Sequence, residues 1–328
     1  MRKFFLFLIS LLIGISLFVW TLKFVGWPEI KNAFLVFTGW QGIIILILAL
    51  FIALIGTWEW KVILKSEGID IPFKDLFKPY LTGFSIMYLA PILIFGKEVF
   101  RSYVLKEKHS VPWSKGIAAA IIDRILDFTT ELIFIFFGIF FFLLIFGFPS
   151  KIPGLIFGVF LVLVAGISFF YFKVFKRESI AKFFIKVFTP KYQNDNTPLH
   201  IEEEIFNFFK IKERYMWQGF GLTFFEKVIK FLKTWLLIIF LGKTISFLPV
   251  LSVLGFSYFS AMIPIPASLG NDEVIQAFVF GSLGLGANTG TAFTLIDRGA
   301  ELIVALVGLF ILFGFGLKSL EVSLSKKH

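Results

Sequence analysis

Apolar residues in this chain come in long unbroken runs separated by short polar stretches, and the runs set the predicted elements. Residues 4–22 follow Met1-Arg2-Lys3. That run exceeds a signal-peptide core and no small-residue cleavage site follows it, which predicts an uncleaved first span with its basic end in the cytoplasm. A second span is predicted over 43–60, closed by Trp58-Glu59-Trp60-Lys61 as an interfacial anchor. A polar loop follows, with Lys65, Glu67, Asp70, Lys74, Asp75 and Lys78. Residues 81–95 are apolar but short, and Pro91 and Gly96 interrupt them, which suits a re-entrant hairpin better than a span. Broken backbone at membrane depth has to be buried in protein or line a wet cavity. Residues 97–115 are basic and partly amphipathic. Residues 116–146 predict a long helix, tilted or begun outside the hydrocarbon, and after a tight turn at 149–153 residues 154–172 return. The segment 173–214 is the one long hydrophilic stretch, predicted as a cytoplasmic loop with amphipathic helix around 180–188 and 201–209. A span at 220–241, a second hairpin at 247–266 broken by Pro264 and Pro266, and a last span at 291–315 complete the pattern.

The fold class is therefore an all-α polytopic membrane protein of about six full spans and two Pro/Gly-broken hairpins. The chain reads as a single integral membrane domain over 1–328, in halves of about 1–148 and 153–318. Counted from a cytoplasmic N-terminus, 61–115, 173–215 and the C-terminal tail all fall inside and all are lysine-rich, whereas the outer turn at 149–153 has one lysine. Both termini are expected in the cytoplasm of a prokaryote, with the chain in its cytoplasmic membrane.

Composition removes the competing classes. The chain of 328 residues is 58% hydrophobic and 16% charged, with 48 phenylalanines and a mean hydropathy of +0.88. Soluble domains carry about 25% charged residues, so a soluble enzyme, a disordered chain and a coiled coil are excluded. A membrane β-barrel would alternate polar and apolar positions in short segments instead. The absence of cysteine excludes disulfides, zinc-thiolate sites and thiol nucleophiles, and three histidines make a histidine-built metal site a poor expectation. The net charge of +10 fits basic cytoplasmic loops and attraction to anionic lipid, not nucleic acid. No cofactor is expected: Gly281–Gly290 is glycine-rich but lacks the lysine and hydroxyl residue of a phosphate loop.

The few charges inside apolar runs are patterned. Gly96-Lys97-Glu98 follows the Pro91 hairpin, and Asp123-Arg124 with Asp127 comes later. Gly270-Asn271-Asp272-Glu273 follows Pro264 and Pro266, and Asp297-Arg298 with Glu301 comes later. Gly96 and Arg124 lie 28 positions apart, as do Gly270 and Arg298. Because one hairpin enters from each side, this predicts an inverted repeat, a recurrent transporter design. Asp123, Asp127 and Glu131 form one helical stripe, and Asp297 and Glu301 repeat its spacing. Two readings of Arg124 and Arg298 stand together. They bind an anion such as a lipid phosphate, which suits a guanidinium fork. Or they clamp the hairpins through Glu98 and through Asp272 or Glu273. Arg101 pairs locally or faces headgroups. Glu226, Lys227, Lys230 and Lys233 are read as an interfacial helix over 217–233 ahead of a later span, with a polar headgroup path as the alternative.

At these residues the sequence resembles the transmembrane region of lysylphosphatidylglycerol synthases, whose stand-alone relatives are called flippase-like integral membrane proteins. The likeness rests on Pro91, Gly96-Lys97-Glu98-Val99-Phe100-Arg101 and Asp123-Arg124, then Pro264-Ile265-Pro266-Ala267-Ser268-Leu269-Gly270-Asn271-Asp272-Glu273 and Arg298. Ala267-Ser268 stands where the family has a double glycine, and Asp123 where a glutamate is usual. The resemblance implies movement of an anionic or aminoacylated phospholipid between leaflets. The substrate-binding set is then Arg124, Arg298, Glu98, Arg101, Asp123, Asp127, Asp272, Glu273, Asp297 and Glu301, with Pro91, Gly96, Pro264, Pro266 and Gly270 shaping the hairpins. The synthases' aminoacyl transfer belongs to a separate soluble domain, for which this chain has no room, and no Asp-x-Asp sugar-nucleotide motif is present. A membrane-embedded transferase using Asp127 or Glu131 as general base is the rival expectation. A non-catalytic subunit docking a soluble partner at 173–215 is a third.

Overall fold

The computed structural model describes residues 39–89, 96–146, 153–179, 197–210, 212–262 and 271–325. The predicted first span at 4–22, the turn at 149–152, the helix at 180–188, the hairpin residues Pro91, Pro264, Pro266 and Gly270, and Lys326 and Lys327 lie outside them. Among the described residues there are ten α-helices and no strand: α1 (Trp40–Ser66), α2 (Phe73–Leu89), α3 (Gly96–His109), α4 (Trp113–Phe146), α5 (Pro153–Phe175), α6 (Thr197–Phe208), α7 (Arg214–Phe240), α8 (Phe247–Met262), α9 (Asn271–Ser282) and α10 (Ala287–Ser325). Two of them, α1 and α4, are long and apolar enough throughout to cross a membrane.

The apolar runs become helices that are greasy on both faces. In α1, Ile45, Ala49 and Ala53 are buried while Ile43, Ile47 and Leu54 are exposed. In α4, Phe134 and Ile135 face inward while Phe136, Phe137 and Phe140 face out. A helix apolar all round belongs in a large core or a bilayer, and an apolar exterior this extensive has lipid as its natural solvent. One expectation fails: residues 73–78 are not loop but the start of α2, which carries Pro79 in its interior.

The helices recur at a constant interval. A shift of 174 residues carries Trp40 to Arg214, Phe73 to Phe247 and Trp113 to Ala287, the first residues of α1 and α7, α2 and α8, and α4 and α10. Their ends recur as well. Gly68 and Gly242 each sit at φ +75°, and the following amides, Ile69 and Lys243, reach back to Leu64 O and Ile238 O at 3.0 and 3.2 Å. This is a left-handed cap that glycine enters without steric cost. Ser110 and Gly284, at +54° and +72°, close α3 and α9 in the same register.

Packing respects the recurrence. α1 and α7 lie antiparallel along their length: the Trp40 ring is 5.3 Å from Phe240 at one end, and Phe51 is 6.5 Å from Phe225 nearer the middle. The short helix of each unit packs on the long helix of the other, α2 on α10 and α8 on α4. Both crossings depend on small residues. A Cβ on Gly255 would stand 2.8 Å from Phe134 O and 2.9 Å from Gly138 Cα. Gly308 lies against Leu81 O, where Ser85 Oγ donates to Ala305 O at 2.6 Å. Such contacts bring helix backbones close where lipid offers no hydrophobic drive to associate.

The apolar core falls into two main parts. One contains Ile63, Leu64, Val111, Val174, Phe208 and Met216. The other contains Ile135, Ile139, Leu237, Val253, Phe280 and Ile296. Along α4 the first part ends at Leu126 and the second begins at Leu132. Asp127 and Glu131 fall between them, and so do Glu226, Lys227 and Lys230 on α7.

Candidate functional site

The charges that interrupt the apolar runs meet in this middle layer. In the first unit Asp123 is buried on α4 and faces α3. Arg101 Nη1 donates to its Oδ2 at 2.9 Å, and Lys97 Nζ lies 3.2 Å from the same oxygen. The Arg101 guanidinium is fully buried, 4.1 Å from the Tyr80 ring centre and 4.9 Å from that of Trp60. Its aromatic walls give it attraction that water would otherwise supply. One residue along α4, Arg124 reaches Glu98 at 3.8 Å, with 46% of its side chain exposed.

The second unit builds the same contact differently. Arg298 on α10 is held by Glu273 and, at 3.8 Å, by Asp272, and 16% of its side chain is exposed. Asp272 and Glu273 occupy the first turn of α9, as Glu98 does in α3. Carboxylates there complement the helix dipole, which favours each acid at the start of its helix. Asn271 fastens that start to α8 by donating to Ser260 O at 3.0 Å, and Gln276 donates to Ser257 Oγ at 2.7 Å.

α7 joins the two arrangements. Lys227, Lys230 and Lys233 recur every three residues on one side of the helix. Lys227 Nζ donates to Asp127 at 2.8 Å and lies 3.7 Å from Glu131 on α4. Lys233 Nζ lies 2.8 Å from Asp297 Oδ1, and Lys230 stands 3.8 Å from Glu301, both on α10. The expectation of an interfacial helix over 217–233 is therefore wrong. α7 is one continuous helix, and Lys227 and Lys233 are buried in it, because acids from two distant helices supply their counter-charges. Charges among apolar helices are expensive unless mutually satisfied, as these ion pairs satisfy them, and in membrane proteins such groups are candidate functional sites.

All ten predicted binding residues thus take part in these ion pairs. Arg124 contacts Glu98 on the first turn of α3 and Arg298 contacts Asp272 and Glu273 on that of α9, Arg101 and Asp123 are sealed against each other, and Asp127, Asp297 and Glu301 are engaged by lysines. Gly96 opens α3. The interior lysines of α7 match the alternative expectation, and two contributors were not foreseen: Lys97 and Glu59. Glu59 is buried on α1, and a 174-residue shift places it at Lys233, a signal present in the sequence. Its carboxylate lies with those of Asp127 and Glu226, their ligand oxygens all within 4.8 Å of one another.

Outside the layer, basic groups gather at one end. Lys115 Nζ donates to Glu67 O at 2.7 Å, Arg177 donates to Asn207 at 2.9 Å, and Lys61, Lys65 and Arg214 line one cleft. Glu67, at the end of α1, lies beside Glu204. Burial first, then that neighbouring carboxylate, pushes its own carboxyl up to about 8.

The lysylphosphatidylglycerol synthase TM region family matches the chain over residues 7–308. The chain belongs to this family. A membrane protein of the UPF0104 group from Methanocaldococcus jannaschii is 26% identical over 266 residues, covering 78% of this chain and 79% of that one. A second, from Pyrococcus horikoshii, is 25% identical over 263 residues, covering 75% of this chain and 78% of its own. A third, from Methanothermobacter thermautotrophicus, is 22% identical over 302 residues, covering 88% and 89%. No solved structure matches. Family and relatives together make this an integral membrane protein, in keeping with its all-helical fold.

Proposed function

We propose that this chain moves an anionic or aminoacylated phospholipid between leaflets, with the headgroup held in the charged layer between its two units. The units are inverted repeats in this reading, because the equivalent helices α1 and α7 run antiparallel. Six spans and two re-entrant hairpins cross the cytoplasmic membrane, with both termini and the lysine-rich end inside.

The observation that carries the reading is the paired clamp. Each unit holds one arginine of its long helix against acids on the first turn of a short helix, Arg124 on Glu98 and Arg298 on Asp272 and Glu273. A guanidinium binds phosphate and carboxylate with the same planar fork, so a lipid phosphate competes with the acid for the same donor. Displacement frees the short helix to move, and a ligand shifts that equilibrium only as far as it binds one state better. The half-exposed Arg124 is the clamp open to exchange in this conformation.

The test is leaflet exchange of fluorescent phosphatidylglycerol and lysylphosphatidylglycerol in proteoliposomes. Exchange above empty liposomes, lost in folded Arg124→Ala and Arg298→Ala proteins, is the expected result. Exchange indifferent to both arginines, or absent for both lipids, contradicts the reading.

A further inference from the structure

We propose that Glu59, Asp127 and Glu226 form a site for one sodium ion. The three carboxylates come from α1, α4 and α7, with ligand oxygens within 4.8 Å of one another. Their charges are not balanced. Lys227 lies 2.8 Å from Asp127, 3.3 Å from Glu226 and 3.7 Å from Glu131, so one ammonium is shared by three acids. Glu59 is a fourth acid beside them. It is 1% exposed, its carboxylate lies in the group, and its Oε1 has no hydrogen-bond partner among the described residues.

No ion pair to Glu59 forms among the described residues. Its neutral neighbour is Thr223 of α7, whose hydroxyl also donates to Gly219 O at 2.9 Å. The titratable and charged groups around Glu59 are Glu226 with Lys227 from α7, Asp123 and Asp127 from α4, and the Tyr80 hydroxyl from α2, which packs on Gly56. From α3, Arg101 stacks over the adjacent Trp60 and is committed to Asp123. A buried carboxylate with no counter-charge takes up a cation or a proton rather than persist. Asp127 and Glu226 already contact the Lys227 ammonium, so the group offers an added ion few free carboxylate oxygens, which suits a singly charged ion better than a divalent one. Asp127 also lies three residues from Arg124. On the translocation reading, occupancy of this site then biases the neighbouring clamp and couples lipid movement to an ion gradient.

The experiment uses the purified full chain in detergent and needs no lipid movement, so it stands or falls apart from the transport assay. Radioactive sodium binding and the infrared carbonyl band of a protonated carboxyl are measured in wild type, Glu59→Gln, Asp127→Asn and Glu59→Asp. Folding is checked by circular dichroism and monodispersity. Sodium binding is expected to weaken about tenfold or more in Glu59→Gln and Asp127→Asn and to persist in Glu59→Asp. Sodium binding indifferent to Glu59→Gln, or no sodium binding, with or without a neutral-pH carboxyl band that Glu59→Gln removes, overturns the proposal.

Discussion

The two units put the same carboxylate in the same place and neutralise it from different directions. Asp123 and Asp297 are related by the 174-residue shift. Asp123 takes its cations from α3, as Lys97 and Arg101. On α9 those positions are Asn271 and Ile275, and Asp297 is served by Lys233 of α7 instead. The α1 residue equivalent to Lys233 is Glu59, the acid with no partner. A cation has thus moved from the first helix of the unit to the third, and an acid fills the vacated position. Backbone register is held to the residue while charge is redistributed around it. The clamps differ in the same sense: Arg298 has two acids and little exposure, Arg124 has one at 3.8 Å and is half exposed. Equivalent frames with unequal clamps are what a two-state device looks like in one of its states.

The largest asymmetry is expected in stability. Asp123→Ala strands two buried cations and is expected to cost about 3–5 kcal/mol. Asp297→Ala leaves Lys233 with Glu301 at 4.0 Å and is expected to cost less, about 1–3 kcal/mol. Thermal unfolding of the purified proteins reads both, and equal losses would break the comparison. Next comes the exchanged position. Lys233→Ala removes the cation that holds Asp297 and should cost about 3 kcal/mol, whereas Glu59→Gln breaks no ion pair and should stay within about 1 kcal/mol. Between the clamps, Arg298→Ala is expected to lose about 1–3 kcal/mol and Arg124→Ala under about 1 kcal/mol, its own side chain being half exposed and its contact with the buried Glu98 long, at 3.8 Å.

The smallest effect lies outside the layer. The folded chain binds the Glu67 proton more tightly than the unfolded chain, its carboxyl being raised from 4.5 to about 8. That contribution is complete below 4.5 and is lost as pH rises through about 8. Glu67→Gln should flatten the fall in melting temperature across this range, and an unchanged slope would assign it to another group.

Much of this was legible in the chain. Apolar runs located α1, α4, α5 and α7 to within about six residues at each end, whereas α2 begins eight residues early and α10 ends ten residues late, and the 28-residue interval from Gly96 to Arg124 and from Gly270 to Arg298 is part of the 174-residue register. What was missed was missed for physical reasons. Trp58-Glu59-Trp60-Lys61 has the composition of an interface, yet Glu59 and Trp60 turn inward while Trp58 turns out. The lysines of α7 look interfacial because their partners are remote: Lys227 and Asp127 are 100 residues apart. Local pattern shows that a charge is present but not that another helix has come to meet it. Lys74, Asp75 and Lys78 were read as loop because polarity and Pro79 outweighed the helical period that Leu76 and Leu81 continue into the core.

The central claim is that the units are equivalent and inverted across the bilayer, and the absence of cysteine makes it directly testable. Ser114 and Asn288 are the second residues of α4 and α10 and are related by the same shift. Single Ser114→Cys and Asn288→Cys variants would be labelled with a membrane-impermeant thiol reagent in right-side-out and inverted vesicles. The account predicts that Ser114→Cys reacts only from the cytoplasmic face and Asn288→Cys only from the opposite one. Reaction of both from the same face would contradict it.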